Sequence, residues 1–453
     1  MSGHKTRNKL LFIFFFILIL LYAFCNSSKY SADNQWSRYA LIKSIALKGS
    51  FALEQKDCMS DWSFHNGHYY SNKAPGTSYF GAPIYLALYH LEKIFKFNPD
   101  ALSLFNLKII SFFIASVPTV LICIFMYLFF LSHFPNLENK LLIVSAYSLG
   151  TLAFPLSTML WGHQLAACFL FLSYYFIKIS KKYFLGGLFV GFAVFTEYPS
   201  ALLIPAYIVL IFFLSFRTGE KKSNYFFKNL FNFILGGLIP LTLLMHYHYT
   251  CFGSVLSTPY DFENPIFKDG GISTVDGLLI VGDYSQLMNT NNTFLGINYE
   301  ALLKLLFGAK KGLFFIYPIT IIGFLGLCIK RNYLCLFAFF SFLILNATLS
   351  LWEGGTFNGP RYLAPIIPFL FLEPVLFKKR WLSYLFLLIS VLNTIAIVSV
   401  NMMVPSDVES VLYEVIYPGI LGNIWSFSFV LLLAVFMLSL SYFENKQNLL
   451  LNK

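Results

Sequence analysis

A few short polar stretches interrupt an otherwise apolar chain, and they hold the side chains that could do chemistry. KYSADNQWSR, residues 29–38, places Asp33, Trp36 and Arg38 directly after the apolar run 10–25. At the start of a helix, Asp33 is either a cap for free amides or a general base held by those amides and by nearby Arg38. DWSFHNGHYYSNKAPGTSYFGAP, residues 61–83, adds Asp61, His65, His68, Tyr70 and Lys73. His65 and His68 have H-x-x-H spacing but no third ligand at a telling distance. They read as an interfacial pair, and no metal site is expected. Lys73 precedes Ala-Pro-Gly-Thr, where a helix N-terminus and a cation together suit an anion, and Thr77 or Ser78 can cap that helix. Farther on come Glu197 in TEYP, Lys310 and Lys311 in FGAKKGLFFIYP, and Glu353 and Arg361 in LWEGGTFNGPRYLAPIIPF.

Any one of these cations alone reads as a side chain reaching from a span toward headgroups. Together, Lys73, Lys310, Lys311 and Arg361 would surround one anionic group. Trp36, Trp62, Tyr69 and Tyr70 could stack on a sugar, although Trp and Tyr also gather at any membrane interface. None of the glycine patterns is a nucleotide loop: there is no G-x-G-x-x-G after a strand and no Walker sequence.

The elements that must position these residues are the apolar runs themselves. The 453 residues are 57% hydrophobic, 19% aromatic and 12% charged, with a mean hydropathy of +0.67. A soluble domain carries about a quarter charged residues. Runs near 10–25, 102–131, 141–155, 164–180, 183–196, 199–216, 229–248, 313–329, 333–351, 362–377, 381–403 and 421–442 approach the roughly 20 residues a crossing needs. The chain is therefore read as an all-α polytopic membrane protein forming one integral domain, 1–453. Continuous rather than alternating apolar runs argue against a β-barrel. The first run has no small-residue cleavage site after it and is read as an uncleaved span.

The net charge of +11 lies in small groups between runs, which sets topology and argues against a nucleic-acid partner. A further run, 79–95, breaks the parity of these groups if it crosses. Laid flat, with Ile84, Leu88, Leu91 and Phe95 as its apolar stripe and His90, Glu92, Lys93 and Lys96 beside it, it leaves about twelve spans. Lys5, Arg7, Lys9, Lys140, Lys181, Lys182, Arg217 to Lys228, Lys330, Arg331 and Lys378 to Arg380 are then cytoplasmic, as are both termini. Long loops 26–101 and 249–312 lie outside with most of the carboxylates. Residues 34–48 read as an amphipathic helix ending at Gly49. The seven cysteines form no C-x-x-C pair. Only Cys58 and Cys251 fall in long polar segments, and their pairing is left open.

In this order, the stretches resemble the GT-C superfamily of integral membrane glycosyltransferases. They are most similar to bacterial members that use polyprenyl-phosphate sugars, relatives of the lipid A aminoarabinose transferase and the protein O-mannosyltransferases. The resemblance runs from residue 10 to about 380. NKAPG parallels the K/H-P-P helix opening of those proteins with one proline instead of two. The segments around Lys310 and Arg361 are the most specific as strings.

The resemblance implies a bundle of transmembrane helices with juxtamembrane helices in the first outer loop. It also implies inverting transfer of a sugar from a polyprenyl-phosphate donor to an envelope glycan, lipid or protein, on the outer face of the cytoplasmic membrane. Asp33 would be the base, Lys73, Lys310, Lys311 and Arg361 would hold the donor phosphate, and Arg38, Trp36, Asp61, His65, His68, Tyr70, Glu197 and Glu353 would contact substrate. No cofactor is expected, and nothing indicates a divalent metal. No large soluble C-terminal domain follows, so acceptor selection would fall to the two long loops. A rival enzyme, an outer-leaflet polysaccharide polymerase or ligase, would rely on arginines in large outer loops, where this chain has only Arg38. A lipid-linked-sugar transporter would want ionisable groups at mid-membrane, whereas Lys108, Glu373, His246 and His248 lie near span ends.

Overall fold

Unbroken runs of Leu, Ile and Phe leave the backbone one economical way to satisfy its amides away from water, and the apolar runs are helices. The computed structural model describes residues 2–26, 33–54, 57, 60–99, 101–135, 137, 140–216, 222–264, 273–275, 278–280, 296–349, 351–378, 380–403 and 408–451. In chain order the helices are α1 (Ser2–Cys25), α2 (Asp33–Lys48), α3 (Gly76–Ile94), α4 (Ser103–Ser111), α5 (Val117–His133), α6 (Lys140–Gly150), α7 (Ala153–Leu156) and α8 (Gly162–Lys178). Then follow α9 (Tyr183–Thr196), α10 (Leu203–Phe216), α11 (Lys222–Phe252), α12 (Tyr299–Phe307), α13 (Leu313–Ile316), α14 (Ile319–Lys330) and α15 (Tyr333–Thr348). The last are α16 (Ile367–Leu370), α17 (Arg380–Val400), α18 (Tyr417–Ile420) and α19 (Ile424–Leu451).

Among the described residues, six helical stretches are long and apolar enough to cross a membrane: Arg7–Cys25, Ser103–His133, Tyr198–Phe216, Ser223–Phe252, Trp381–Val400 and Val411–Phe443. Shorter apolar helices stand beside them, among them Tyr183–Thr196 and Tyr333–Thr348. A π-helical turn, Phe112–Ser116, joins α4 to α5 within the run read as one continuous crossing.

α6 is buried on every side, as befits a helix that is apolar all round. Buried polar side chains in the bundle bond to backbone carbonyls of neighbouring helices: Tyr22 Oη donates to Ser148 O at 2.8 Å, and Tyr207 Oη to Leu170 O at 2.7 Å. The closest crossing is between α9 and α11. A methyl built on Gly187 would fall on the carbonyl of Phe233, and one on Gly236 on the carbonyl of Phe184. Small residues let membrane helices approach to backbone contact where apolar burial alone provides little drive.

On one end of the bundle sit the elements of the first loop. α2 ends as its sequence predicts: Gly49 takes φ +60, its N–H donates to Ile45 O at 3.1 Å, and the Ser50 N–H reaches Ser44 O at 3.4 Å. That is the glycine-closed helix end expected there. Asn66 and Gly67, both at positive φ, turn β1 (Trp62–His65) antiparallel onto β2 (His68–Ser71). An Asn-Gly pair fits the φ > 0 demand of such a two-residue hairpin turn.

Two local expectations change. Thr77 and Ser78 do not cap α3, whose N-cap is Pro75 with no side-chain cap; they serve buried Arg38 instead, Thr77 accepting from its guanidinium and Ser78 donating to its carbonyl. The stripe read along 84–95 also divides. Ile84 and Leu88 pack on the bundle, whereas Leu91 and Phe95 are exposed and Glu92 is buried. Gly81, where a side chain would meet Ile42 and Ile110, lets α3 close on α2 and α4 near its start, and its end extends past that packing. Cys58 lies outside the described residues, as does most of 265–295, and Cys251 is buried. Ser273–Val275 and Leu278–Ile280, here β3 and β4, pair antiparallel.

Candidate active site

The site is assembled around two ion pairs and one unpaired arginine. α2 delivers Arg38, which is 2% exposed and spends its donors on several elements at once. Nε donates to Asn34 Oδ1 at 3.0 Å, one turn back; Nη1 donates to Thr77 Oγ1 at 3.3 Å and Ala74 O at 3.4 Å; Nη2 meets Glu197 Oε1 at 3.0 Å. Glu197 sits in extended conformation where α9 ends and a 3-10 turn, Tyr198–Leu202, begins. Gly162 opens α8 directly against it, and a side chain there would collide with the Glu197 carboxylate. His163 follows, with Nδ1 3.6 Å from Glu197 Oε1. Burial pushes the Glu197 carboxyl upward, against the pull of Arg38, Arg361 and Lys73, so the ion pair resists a real desolvation cost.

The second pair stands at the base of the hairpin. Lys73 Nζ lies 3.1 Å from Asp61 Oδ1. Asn72 Nδ2 donates to Glu263 Oε1 at 2.7 Å and, more weakly, to Asp61 Oδ1 at 3.4 Å. Ser37 on α2 fixes this corner by donating to Asp61 O at 2.5 Å and meeting Ser71 Oγ at 2.8 Å. Residues 259–264 close it from the second long loop: Ser63 donates to Pro259 O at 2.7 Å, and Asn264 to Ser60 O at 2.9 Å. The Ser60 hydroxyl, beside Asp61 in sequence, donates to Asp33.

Arg361 has no such carboxylate. Its guanidinium lies over the Trp161 ring at 4.7 Å and the Tyr362 ring at 5.0 Å, and Nη2 donates to Tyr362 Oη at 3.2 Å. Among the described residues no acid touches it, although Asp61 and Glu197 lie close enough to act on its charge. Arg361 Nε and Trp161 Nε1 are both buried donors without a partner. Buried donors are usually satisfied, and two left over side by side mark a place for an oxygen-rich group.

Of the residues singled out by sequence, Arg38, Asp61, Lys73, Glu197 and Arg361 therefore converge. Asp33 joins them through Ser60 and not through Arg38, which turns away to Glu197. Lys310 and Glu353 pair with each other at 2.9 Å, and Lys311 is buried with its amine on backbone carbonyls. Trp36 packs edge-on to Tyr39, Tyr70 packs on Phe252, and His65 lies against Phe262. His68 is exposed at the hairpin tip. No group of three or more His, Cys, Asp or Glu suited to a metal occurs among the described residues.

Trp161, His163, Asn72, Glu263 and Tyr362 were not singled out. The first two lie in TMLWGHQL, where a Trp-Gly-His-Gln break between two apolar stretches is the signal that could have exposed them. Chemically, the arrangement offers cations already balanced by acids plus one guanidinium ready for an incoming anion, with carboxylates close by. No protein-family model matches this chain, and no curated protein matches it.

Proposed function

We propose that this chain is an inverting glycosyltransferase that moves a sugar from a polyprenyl-phosphate donor to an envelope glycan, lipid or protein. In this reading about twelve helices span the cytoplasmic membrane, both termini are cytoplasmic, and the site faces outward. The observation that carries the proposal is Arg361: a guanidinium lying over two aromatic rings, with no acid in contact among the described residues and a second unpartnered donor beside it. A planar guanidinium suits a phosphate better than a point charge does. Support also comes from the order of polar stretches that resembles the GT-C enzymes.

The chemistry needs three things. The donor phosphate rests on Arg361, and Lys73, now held by Asp61, can turn to it as the second cation. Asp33 takes the proton of the acceptor hydroxyl as its oxygen bonds to the anomeric carbon. The bond from that carbon to the phosphate oxygen breaks, and its electron pair leaves on the lipid phosphate, whose growing charge the cations stabilise. The sugar passes through an oxocarbenium-like state.

The test is donor binding by purified protein in lipid nanodiscs. Arg361→Ala should weaken it on the order of 10- to 100-fold, the range for hydrogen bonds to charged groups, while insertion and folding persist. Arg361→Lys should recover only part. Unchanged donor binding in Arg361→Ala would take Arg361 out of the site and remove the main support for the reading.

A further inference from the structure

Between Leu351 and Arg361 the chain makes a loop that few sequences could form. Gly354, Gly355 and Gly359 take φ values of +67, +71 and +99, a region side chains avoid. Such a loop has little shape of its own, because glycine brings the largest backbone entropy to be lost on ordering. It is nevertheless the segment that delivers Arg361.

What fixes the loop is the FGAKKG segment. Lys311, 2% exposed, donates to Gly355 O at 2.6 Å and to Phe357 O at 2.5 Å. Lys310 beside it holds Glu353, and Tyr317 reaches Asn358 O at 3.4 Å. On the far side Asn358 Nδ2 donates to Asn401 O at 2.8 Å. Gly354 packs so closely on Arg361 that a methyl there would lie 3.1 Å from Arg361 Nε. The loop thus leads from the Lys311 amine to the arginine seat within a few residues. Being buried, the amine cannot reach a ligand itself.

The same placement makes Lys311 electrically sensitive. Both of its partners are neutral carbonyls, and no acid touches it among the described residues. The charged groups that act on it are Glu353 from the loop, Arg361 from the following helix and Lys310 from its own segment. Burial pushes its amine down to about 7, against about 10.4 for an unperturbed lysine. An anion settling on Arg361 would offset the stronger of the two like charges acting on it and favour the protonated amine.

We propose that Lys311 is a positioning residue for Arg361: it holds the glycine loop in the shape that seats the guanidinium on Trp161, and an anionic phosphodiester bound there draws a proton onto it. This rests on the reading of Arg361 as the phosphate ligand, and it makes donor binding pH-linked.

The probe is citronellyl methyl phosphate, a short isoprenoid phosphodiester with one negative charge and no proton to lose near neutrality, titrated calorimetrically into the full-length protein in nanodiscs. Wild-type affinity should fall roughly tenfold from pH 6 to pH 8, as expected when binding raises a group that is half-charged near neutrality. Proton uptake should appear as a dependence of the heat on buffer ionisation enthalpy. Lys311→Arg, which keeps donors but cannot titrate, should bind without this pH dependence. Lys311→Met should weaken binding about tenfold alone, yet less than twofold further in the Arg361→Ala background, because a positioning residue and its client are not additive.

Two results would overturn the inference. One is pH dependence that persists in Lys311→Arg, which puts the proton elsewhere. The other is an additive loss in the double variant, which makes Lys311 an independent contributor. If Arg361→Ala leaves probe binding intact, the phosphate site itself is wrong; if it abolishes binding while Lys311→Met is silent, only the positioning role fails.

Discussion

Asp33 and Asp61 sit at two ends of one short polar chain, Asp33 to the hydroxyl of Ser60 and Asp61 to Lys73. They make opposite predictions. Asn keeps the shape of Asp, still accepts from Ser60 and is itself a good helix N-terminal residue. If Asp33 only orders the start of α2, Asp33→Asn should leave turnover near normal. As the acceptor's base, it should lower turnover by about 10² to 10⁴ with donor binding kept. Near-normal turnover with purified enzyme would hand the role to Asp61. Asp61→Asn, by contrast, releases Lys73 and should tighten binding of a phosphodiester, read in the same titration. The residue types here were legible because Asp, Glu, Lys and Arg are rare in this chain and fall in islands. Their pairing was not. Arg38 belongs to Glu197, a residue 159 positions away, and no spacing rule reports that distance.

At the scale of elements, periodicity and glycine did most of the telling. The end of α2 at Gly49 follows from a backbone conformation that few other residues take up; the Asn66-Gly67 hairpin turn carries the same kind of signal and was not read from it. Which residues of α3 pack inward was hidden, since periodicity does not report that its start closes on α2 and α4 at Gly81. The α9–α11 crossing offers an internally controlled test. α9 ends at Thr196, so this crossing also sets where Glu197 stands. Gly187 faces the Phe233 carbonyl without room for a methyl, whereas a methyl on Gly237 finds its nearest atom at 3.5 Å, an ordinary contact. Gly187→Ala must part the helices and should cost about 1–3 kcal/mol, the usual scale of overpacking. Gly237→Ala should be neutral or stabilise by up to about 1 kcal/mol through helix propensity alone. Thermal unfolding in detergent compares the two, and equal melting temperatures would show that the crossing is not held this tightly.

For the whole molecule, the open question is which side of the membrane holds the site. Helix order places α2, the hairpin, the start of α8, the end of α9 and the loop before Arg361 at one end of the bundle, since their side chains bond to one another. The basic residues at 181–182, 330–331, 378 and 380 fall at the other ends of these helices, and short basic turns favour the cytoplasmic side. Everything then depends on α3, which is 19 residues long yet is not among the six helical stretches apolar enough to cross. Its packed face, through Gly81 and Tyr85, lies on α2 and α4, the elements that carry or adjoin the site. A helix lying along that surface need not change sides. Asn98, exposed just beyond its end, reports the answer. In a variant with all seven cysteines replaced, Asn98→Cys should react with a membrane-impermeant maleimide added to intact cells, and a cysteine at Lys181 should react only after the membrane is opened. If position 98 is instead labelled only after opening, α3 crosses, every later turn changes sides, and chemistry on lipid-linked sugars at the outer face loses its geometric basis.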